Sequence, residues 1–447
     1  MTSKPRAAAF SARAVAETAL ARVFADGAFA AAALEAEIER HPQIDPRDRA
    51  LATELVYGAL RVAPWLEGRL DSFATRSVKK LRPRVRAALV LAAYQIAFLD
   101  RVPVYAAVSE AVASARQVSG DKVGGFANAI LRKLARECEV ARPSAAAAME
   151  ASLPPWLARR LVDVVSTEGL PALLGADASA PPLGLRVRHE GDRAAALERS
   201  RSAHPEASFE PGTISPLAIL ARRAGRPSEL EGVKDGSLVV QEEGSQLVGL
   251  ALGAKAGERV LDACAGRGHK TGILLHAVGR EGAVDASDLH EPKLERLAAE
   301  LAGEGVTPRA TYPVDWSVGG GDVPGDYDAI LVDAPCSGTG TLRRRPDLLV
   351  RRTESDIASL AQLQVAIVRN AAAHLRPGGR LVYAVCSVLR DEAEGVLAAL
   401  VPSDLGLEPD PFEGPAGRIF AGATQGRLLP HLHGTDGYFV ARFRKRA

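Results

Sequence analysis

Asp333, Cys336 and Cys386 are the side chains in this sequence whose types and placement point most directly to chemistry. The first two close the run Tyr327-Asp-Ala-Ile-Leu-Val-Asp-Ala-Pro-Cys-Ser-Gly-Thr-Gly340, an apolar strand pattern that delivers an acid, a Pro-Cys pair and two glycines at its end. The third ends Arg380-Leu-Val-Tyr-Ala-Val-Cys-Ser387, introduced by the turn Arg376-Pro-Gly-Gly379. The two cysteines are 50 residues apart, but neighbouring strands that end at one sheet edge would bring them together. A cysteine by itself is more often a small buried hydrophobe than a nucleophile. Two of them beside an acid and a methyl donor suit a specific problem, methylation of carbon 5 of a pyrimidine. That carbon is a poor nucleophile. Thiolate addition at carbon 6 makes it enamine-like, and an acid at the ring nitrogen eases the addition. The carbon-5 proton and the thiol must then leave, which a second thiol assists.

A methyl donor has a candidate site upstream. Val260-Leu-Asp-Ala-Cys-Ala-Gly-Arg-Gly-His-Lys-Thr271 reads as a strand, a glycine-bearing turn and a helix start. Such a turn lets the backbone approach a ligand at a helix N-terminus. A Walker A loop fails, because His269 stands before the lysine and Cys264 replaces the first glycine. A dinucleotide fingerprint fails because Thr271 stands at the third glycine position. S-adenosylmethionine, which carries no phosphate, is the remaining common cofactor. It calls for an acid at the end of the next strand to grip the ribose. Asp288, 22 residues beyond Gly266, is placed for that role or for capping the helix that begins near Pro292.

These residues need a scaffold, and the chain supplies one in three parts. Its 447 residues, 47% hydrophobic and 25% charged, are enough for two or three packed domains. Disordered, collagen-like and disulfide-stapled folds are excluded. Four cysteines without a Cys-x-x-Cys pair suggest a reducing compartment and no structural zinc. No metal site is expected, since the histidines show no ligand spacing. The N-terminus lacks the unbroken apolar core of a signal peptide, and no run reaches a membrane span, so a cytoplasmic protein is expected.

Residues 1–142 read as an all-α domain, with apolar residues at helical spacing over Ala12–Phe24, Asp48–Arg61, Val85–Leu99 and Val108–Gln117. Up to residue 140 it carries 21 Lys and Arg against 15 Asp and Glu. Six basic residues and no acid lie between Arg76 and Arg86, either a solvated face or a phosphate-facing patch. Prolines punctuate 143–235, read as a small mixed α/β linker domain. From 236 to 447, short apolar runs alternate with helical stretches, as in a parallel α/β sheet covered on both faces, where ligands meet the carboxyl ends of the strands.

Asp-Ala-Pro-Cys-Ser-Gly-Thr-Gly followed by Arg-Arg-Arg-Pro-Asp, together with Leu-Val-Tyr-Ala-Val-Cys-Ser, resembles the Nop/Sun family of RNA cytosine-C5 methyltransferases, most closely its RsmB (Fmu/Sun) branch acting on 16S ribosomal RNA. Gly124-Gly-Phe-Ala-Asn-Ala-Ile-Leu-Arg-Lys-Leu134 resembles the end of that branch's NusB-like helical domain. Val240-Gln-Glu-Glu-Gly-Ser-Gln246 and Pro430-His-Leu-His-Gly-Thr-Asp-Gly-Tyr-Phe439 match its pattern as well.

The resemblance implies an N-terminal NusB-like RNA-binding domain, a linker domain and a C-terminal Rossmann-like class I methyltransferase. It implies Cys386 as the nucleophile, Cys336 as the thiol that helps release product, and Asp333 and Lys270 against the target base. Cys264, Ala265, Gly266, Arg267, Gly268, His269 and Lys270 would hold the methionine end of S-adenosylmethionine. Asp288 would hold its ribose, Asp315 would lie near the adenine, and Asp333 would border the cofactor. RNA would meet residues 76–86 and 343–352. Three positions depart from the family pattern. His269 replaces a glycine and is expected to adopt a backbone that glycine favours, Val385 replaces a threonine, and the strand Ala283–Ser287 is poorly hydrophobic. Two other readings remain: a NusB-like RNA-binding or assembly factor with an inactive methyltransferase half, and a DNA cytosine methyltransferase.

Overall fold

The computed structural model describes residues 11–400 and 405–447, and the chain divides into two compact units. The first comprises the chain through Ala180 together with Leu342–Arg352. The first ten residues of the expected helical domain lie outside the described residues.

Local chemistry sets the helix boundaries of this unit. The Ser11 hydroxyl accepts from the Ala14 amide at the start of Ala12–Asp26, and Gly27 ends that helix at φ 62°. Asp45 accepts from Arg47 N at 2.7 Å and Pro46 opens Pro46–Arg61, while Pro83 opens Pro83–Phe98. The last is apolar almost all round, and its residues Val85 and Ala87–Ala97 are buried. Val104–Ser119 and Asp121–Val140 complete the run up to residue 140. The expected boundary at 142 does not coincide with the unit's edge. Ala145–Glu150 and Pro155–Ala178 continue the helical unit to Ala180. Pro154 and Pro155 start a helix instead of breaking one, because a proline in the first turn costs no hydrogen bond.

The second unit holds two sheets. The smaller is antiparallel, with β1 (Leu183–Val187), β2 (Ser208–Pro211), β3 (Ala218–Arg222) and β4 (Leu238–Val240) in the order β2-β3-β1-β4. It has its own core, including Leu185, Phe209 and Ile219. The fully buried Arg186 donates to Gln241 Oε1 and to Glu304 Oε2, both at 2.7 Å, which joins β1 to the larger layer.

The larger sheet contains β5 (Arg259–Asp262), β6 (Ala283–Asp288), β7 (Ala310–Pro313), β8 (Tyr327–Asp333), β9 (Leu375–Val385), β10 (Leu407–Pro409), β11 (Gln425–Leu428) and β12 (Tyr438–Lys445). The order is β10-β12-β9-β8-β5-β6-β7, with β11 also on β12. Strands β5 to β9 are parallel, whereas β12 runs antiparallel to β9, β10 and β11. The all-parallel expectation therefore holds for the centre and not for the C-terminal edge, where β11 and β12 are close enough in sequence to pair as antiparallel neighbours. The layers on the two sides bury Ile330, Tyr383 and Val385 in one cluster and Val260, Leu331 and Val440 in another.

The polar residues of β6 have partners. Asp285, fully buried, accepts from Arg309 and from the Tyr327 hydroxyl (2.6 Å), and Ser287 donates to Ala263 O at 3.0 Å. Satisfied in this way, they cost the central strand little. Val385, in place of threonine, is simply core.

Candidate active site

Asp262, Asp288, Asp333 and Val385 end β5, β6, β8 and β9, so the loops after these strands share the carboxyl edge of the sheet. The register places Asp333 opposite Ala384 on the adjacent parallel strand. Cys336 lies three residues past the first and Cys386 two past the second. Their sulfurs are 3.1 Å apart, and no disulfide joins them. Cys336 is held well above the usual thiol range, first by its hydrogen bond to Cys386 and then by burial. Either sulfur can be the donor in that contact.

Lys270, second residue of the helix His269–Val278, reaches Asp333 at 2.5 Å. Burial works to lower the lysine's pKa, but the Asp333 charge and hydrogen bond, with Asp262 and Cys386, raise it overall. The ammonium therefore persists inside the site. The Asp333 charge also bears on Cys336. All four expected catalytic residues converge here.

The loop 264–268 turns back on Asp288. Ala265 N donates to Ser287 O at 2.8 Å and Gly266 N to Asp288 Oδ2 at 3.1 Å. Gly268 has φ 85°, and a Cβ on it would lie 2.7 Å from Leu297 Cγ, so both its backbone and its packing require glycine. Asp288 ends β6 and accepts from His290 N (3.0 Å) and Lys293 Nζ (3.1 Å); the helix cap is His290, so the capping alternative does not hold.

His269 departs from expectation. It lies inside the helix, is not among the positive-φ residues, and aims Nε2 at Glu300 Oε2, 3.2 Å away. Arg267 joins it on Glu300, with Nε at 2.9 Å from Oε1. The glycine-favouring conformation falls to Gly266 (φ 57°) and Gly268 instead. Cys264 packs against the core and burial raises its thiol, so it contributes backbone to the loop and no reactive sulfur. Asp315 is exposed after β7 and accepts from Ser317 N (2.9 Å) and Ser317 Oγ, bonds that lower its pKa.

Sequence reasoning passed over Asp262. It is fully buried, its Oδ2 accepts from Thr271 Oγ1 at 2.7 Å, and its Oδ1 has no partner. Burial pushes it up to about 7. A carboxylate with acceptor capacity left over beside the loop suits a ligand bearing an amino group, as the methionine end of S-adenosylmethionine does. The open space at Gly266 and the acid Asp288 complete a fit to that cofactor. The only sequence signal for Asp262 is its place at the end of a strand. Among the described residues no cluster of metal-ligating side chains occurs, and no helix is long and apolar enough to cross a membrane.

The basic segments differ from each other. Within residues 76–86, Arg84 pairs with Glu17 (3.0 Å) and Arg86 with Glu67 (2.5 Å), while Arg76, Lys80 and Arg82 are exposed. In 343–352, Arg343 is buried and accepts through its carbonyl from Arg61, and Arg345 and Arg351 stack on Phe29. Much of that second segment's charge anchors it within the helical unit.

Comparison with known proteins agrees with this architecture. Residues 249–444 match the 16S rRNA methyltransferase RsmB/F family and residues 10–136 the NusB family. A Bacillus subtilis (strain 168) protein named probable ribosomal RNA small subunit methyltransferase B is 31% identical over 98% of this chain and 99% of its own. The ribosomal RNA small subunit methyltransferase B of Vibrio cholerae is 32% identical over 90% and 91%. The crystal structure of PH0851 shares the fold at TM-score 0.80 and 21% identity, covering 98% of this chain and all of that one. NSun6 from Pyrococcus horikoshii, solved with SFG, shares it at TM-score 0.57 and 18% identity over 66% of this chain and 99% of its own. The chain thus belongs to the 16S rRNA methyltransferase RsmB/F family, with a NusB-family domain ahead of an S-adenosylmethionine-dependent methyltransferase domain.

Proposed function

We propose that the protein methylates carbon 5 of a cytosine in RNA, with 16S ribosomal RNA in the cytoplasm as its target, through a covalent bond from Cys386 to carbon 6. The observation that carries this reading is the pair of sulfurs 3.1 Å apart beside the Lys270–Asp333 ion pair. One thiol alone would serve many reactions. Two thiols in contact match a reaction that must add a sulfur and later remove a proton.

Cys386, as thiolate, adds to carbon 6, and the ring electrons move toward carbon 5 as N3 gains a proton from the Lys270–Asp333 pair, which takes it back when the sulfur leaves. Asp333, with Lys270 beside it, meets the N3 and exocyclic amine edge and steadies that charge. S-adenosylmethionine supplies the methyl group to carbon 5. Once Cys386 is bonded to carbon, its sulfur carries no charge and the part of Cys336's raised proton affinity that Cys386 causes is gone. Cys336, having passed its proton to water, then takes the carbon-5 proton. The C–H electron pair forms the C5–C6 double bond, the C6–S bond breaks, and Cys386 leaves as thiolate. Residues 76–86 and 343–352 provide cationic groups for phosphates, the former with more of its charge in solvent.

Methyl-labelled S-adenosylmethionine and unmodified 16S RNA fragments test this. The expected result is label in 5-methylcytosine with wild type, none with Cys386→Ala, and a trapped protein–RNA adduct with Cys336→Ala. Tight RNA binding without label transfer by wild type would favour the inactive binding-factor reading. Transfer to DNA in preference to RNA would favour the other.

A further inference from the structure

Ser337, the residue after Cys336, is fully buried and tied to a carboxylate from the next strand's loop. Glu392, also fully buried, accepts from Ser337 N at 2.8 Å, from the Ser337 hydroxyl, and from Gln364 Nε2 at 3.0 Å. Gln364 Nε2 donates in turn to Pro335 O at 2.9 Å. Both peptide neighbours of Cys336 are therefore held by one buried cluster. The Ser337 hydroxyl, whose short bond goes to Glu392, also lies 3.3 Å from Ser387 Oγ. Ser387 Oγ in turn lies 3.0 Å from Thr339 Oγ1. A hydroxyl chain thus runs between the residues that follow the two cysteines and terminates on the Glu392 carboxylate.

The two cysteines depend on this cluster unequally. Cys386 follows a strand fixed on both sides, with Ala384 opposite Asp333 on β8 and Val385 opposite Phe439 on β12. Cys336 sits on an irregular turn with no ladder of its own, where the buried carboxylate replaces one. A buried carboxylate met by neutral donors is costly to keep unless all its bonds are made, and losing it strands those donors.

We propose that Glu392 is the positioning residue that holds the Cys336 turn against Cys386, so that release of methylated RNA depends on it more than attack or methyl transfer does. This inference rests on the cytosine-C5 reading above. The chemistry that depends on it is the last step: the carbon-5 proton passes to the Cys336 sulfur, its bonding pair becomes the C5–C6 double bond, and the C6–S bond to Cys386 breaks. Glutamine at 392 is nearly isosteric. Its oxygen can accept from Ser337 N and Gln364 while its amide donates to Ser337 Oγ, so the turn keeps its place.

The experiment compares wild type, Cys336→Ala, Glu392→Ala, Glu392→Gln and Ser337→Ala with methyl-labelled S-adenosylmethionine and 16S RNA fragments. It reads protein–RNA adduct on denaturing gels, released methylated RNA, and folding by thermal melts. Glu392→Ala is expected to retain at least tenfold more adduct than wild type, Ser337→Ala several-fold more, and Glu392→Gln to release product as wild type does. Release by folded Glu392→Ala without adduct overturns the proposal, as does adduct retention by Glu392→Gln equal to that of Glu392→Ala. Should Glu392→Ala not fold, Ser337→Ala decides, and wild-type release by that variant overturns the proposal. If Cys336→Ala traps nothing, the cytosine-C5 reading fails and takes this proposal with it. If Cys336→Ala traps adduct and the Glu392 and Ser337 variants do not, the positioning role alone fails.

Discussion

Lys270 Nζ and Asp333 Oδ2 lie 2.5 Å apart although 63 residues separate them in sequence, one at a helix start and the other at a strand end. Both side chains are largely buried, so each neutralises the other where neither would tolerate isolation. On the cytosine-C5 reading proposed above, the pair offers a donor and an acceptor to the edge of the target base. Replacing Lys270 with methionine leaves Asp333 with its charge uncompensated. Methyl transfer by Lys270→Met is expected to fall by roughly 10²-fold or more, mainly in kcat. Single-turnover assays at saturating RNA check this, and a loss confined to KM would contradict it.

His269 is turned toward Glu300 and has an ordinary helical backbone. His269→Gly is therefore expected to leave the KM for S-adenosylmethionine within about twofold, while lowering stability by up to ~1 kcal/mol through helix propensity. Cofactor titration and thermal melts of the variant separate the two effects. A tenfold gain in cofactor affinity would mean the side chain obstructs the site.

Asp262 holds its proton up to about pH 7, whereas an exposed aspartate releases it near 3.8. Its contribution to stability is full below the lower value and falls as pH rises through the higher one, by at most ~1.4 kcal/mol per pH unit. Asp262→Asn lacks this titration. Wild-type Tm minus variant Tm is expected to decline between pH 4.5 and pH 7.5 and to level off beyond. A constant difference across that range would show that Asp262 titrates normally.

The exposed charges of residues 76–86 make a separate prediction for RNA affinity. Replacing Arg76, Lys80 and Arg82 together with alanine should weaken binding and reduce the log–log salt slope by about 0.7–0.9 for each phosphate that is no longer neutralised. Arg86, paired with Glu67 and stacked 3.8 Å from the Phe24 ring, should leave that slope unchanged when replaced with alanine. Filter binding across a salt series measures both. Equal slopes for the triple variant and wild type would remove this surface from the RNA path.

Much of the site was legible before folding because its signals are local. An apolar run ending in Asp333-Ala-Pro-Cys336 announces a strand and what it delivers, and Gly266-Arg-Gly268 announces a turn into a helix. Proline's effect depends on its position within an element: Pro154 and Pro155 begin a helix, and the helical unit runs on to Ala180.

The sequence by itself determined which side chains stand at strand ends, and through its long motifs, which family's chemistry they resemble. Only the tertiary structure decided which of them meet. Strand order puts β8 beside β9, which brings Cys336 to within 3.1 Å of Cys386 across 50 residues of chain. It also decided where polar atoms are buried. The paired Asp285, the half-satisfied Asp262 and the fully engaged Glu392 are three acids with little to distinguish them in sequence. Burial and hydrogen-bond partners come from residues distant in the chain, so no local pattern carries them, yet they determine what each carboxyl group costs and what it can do.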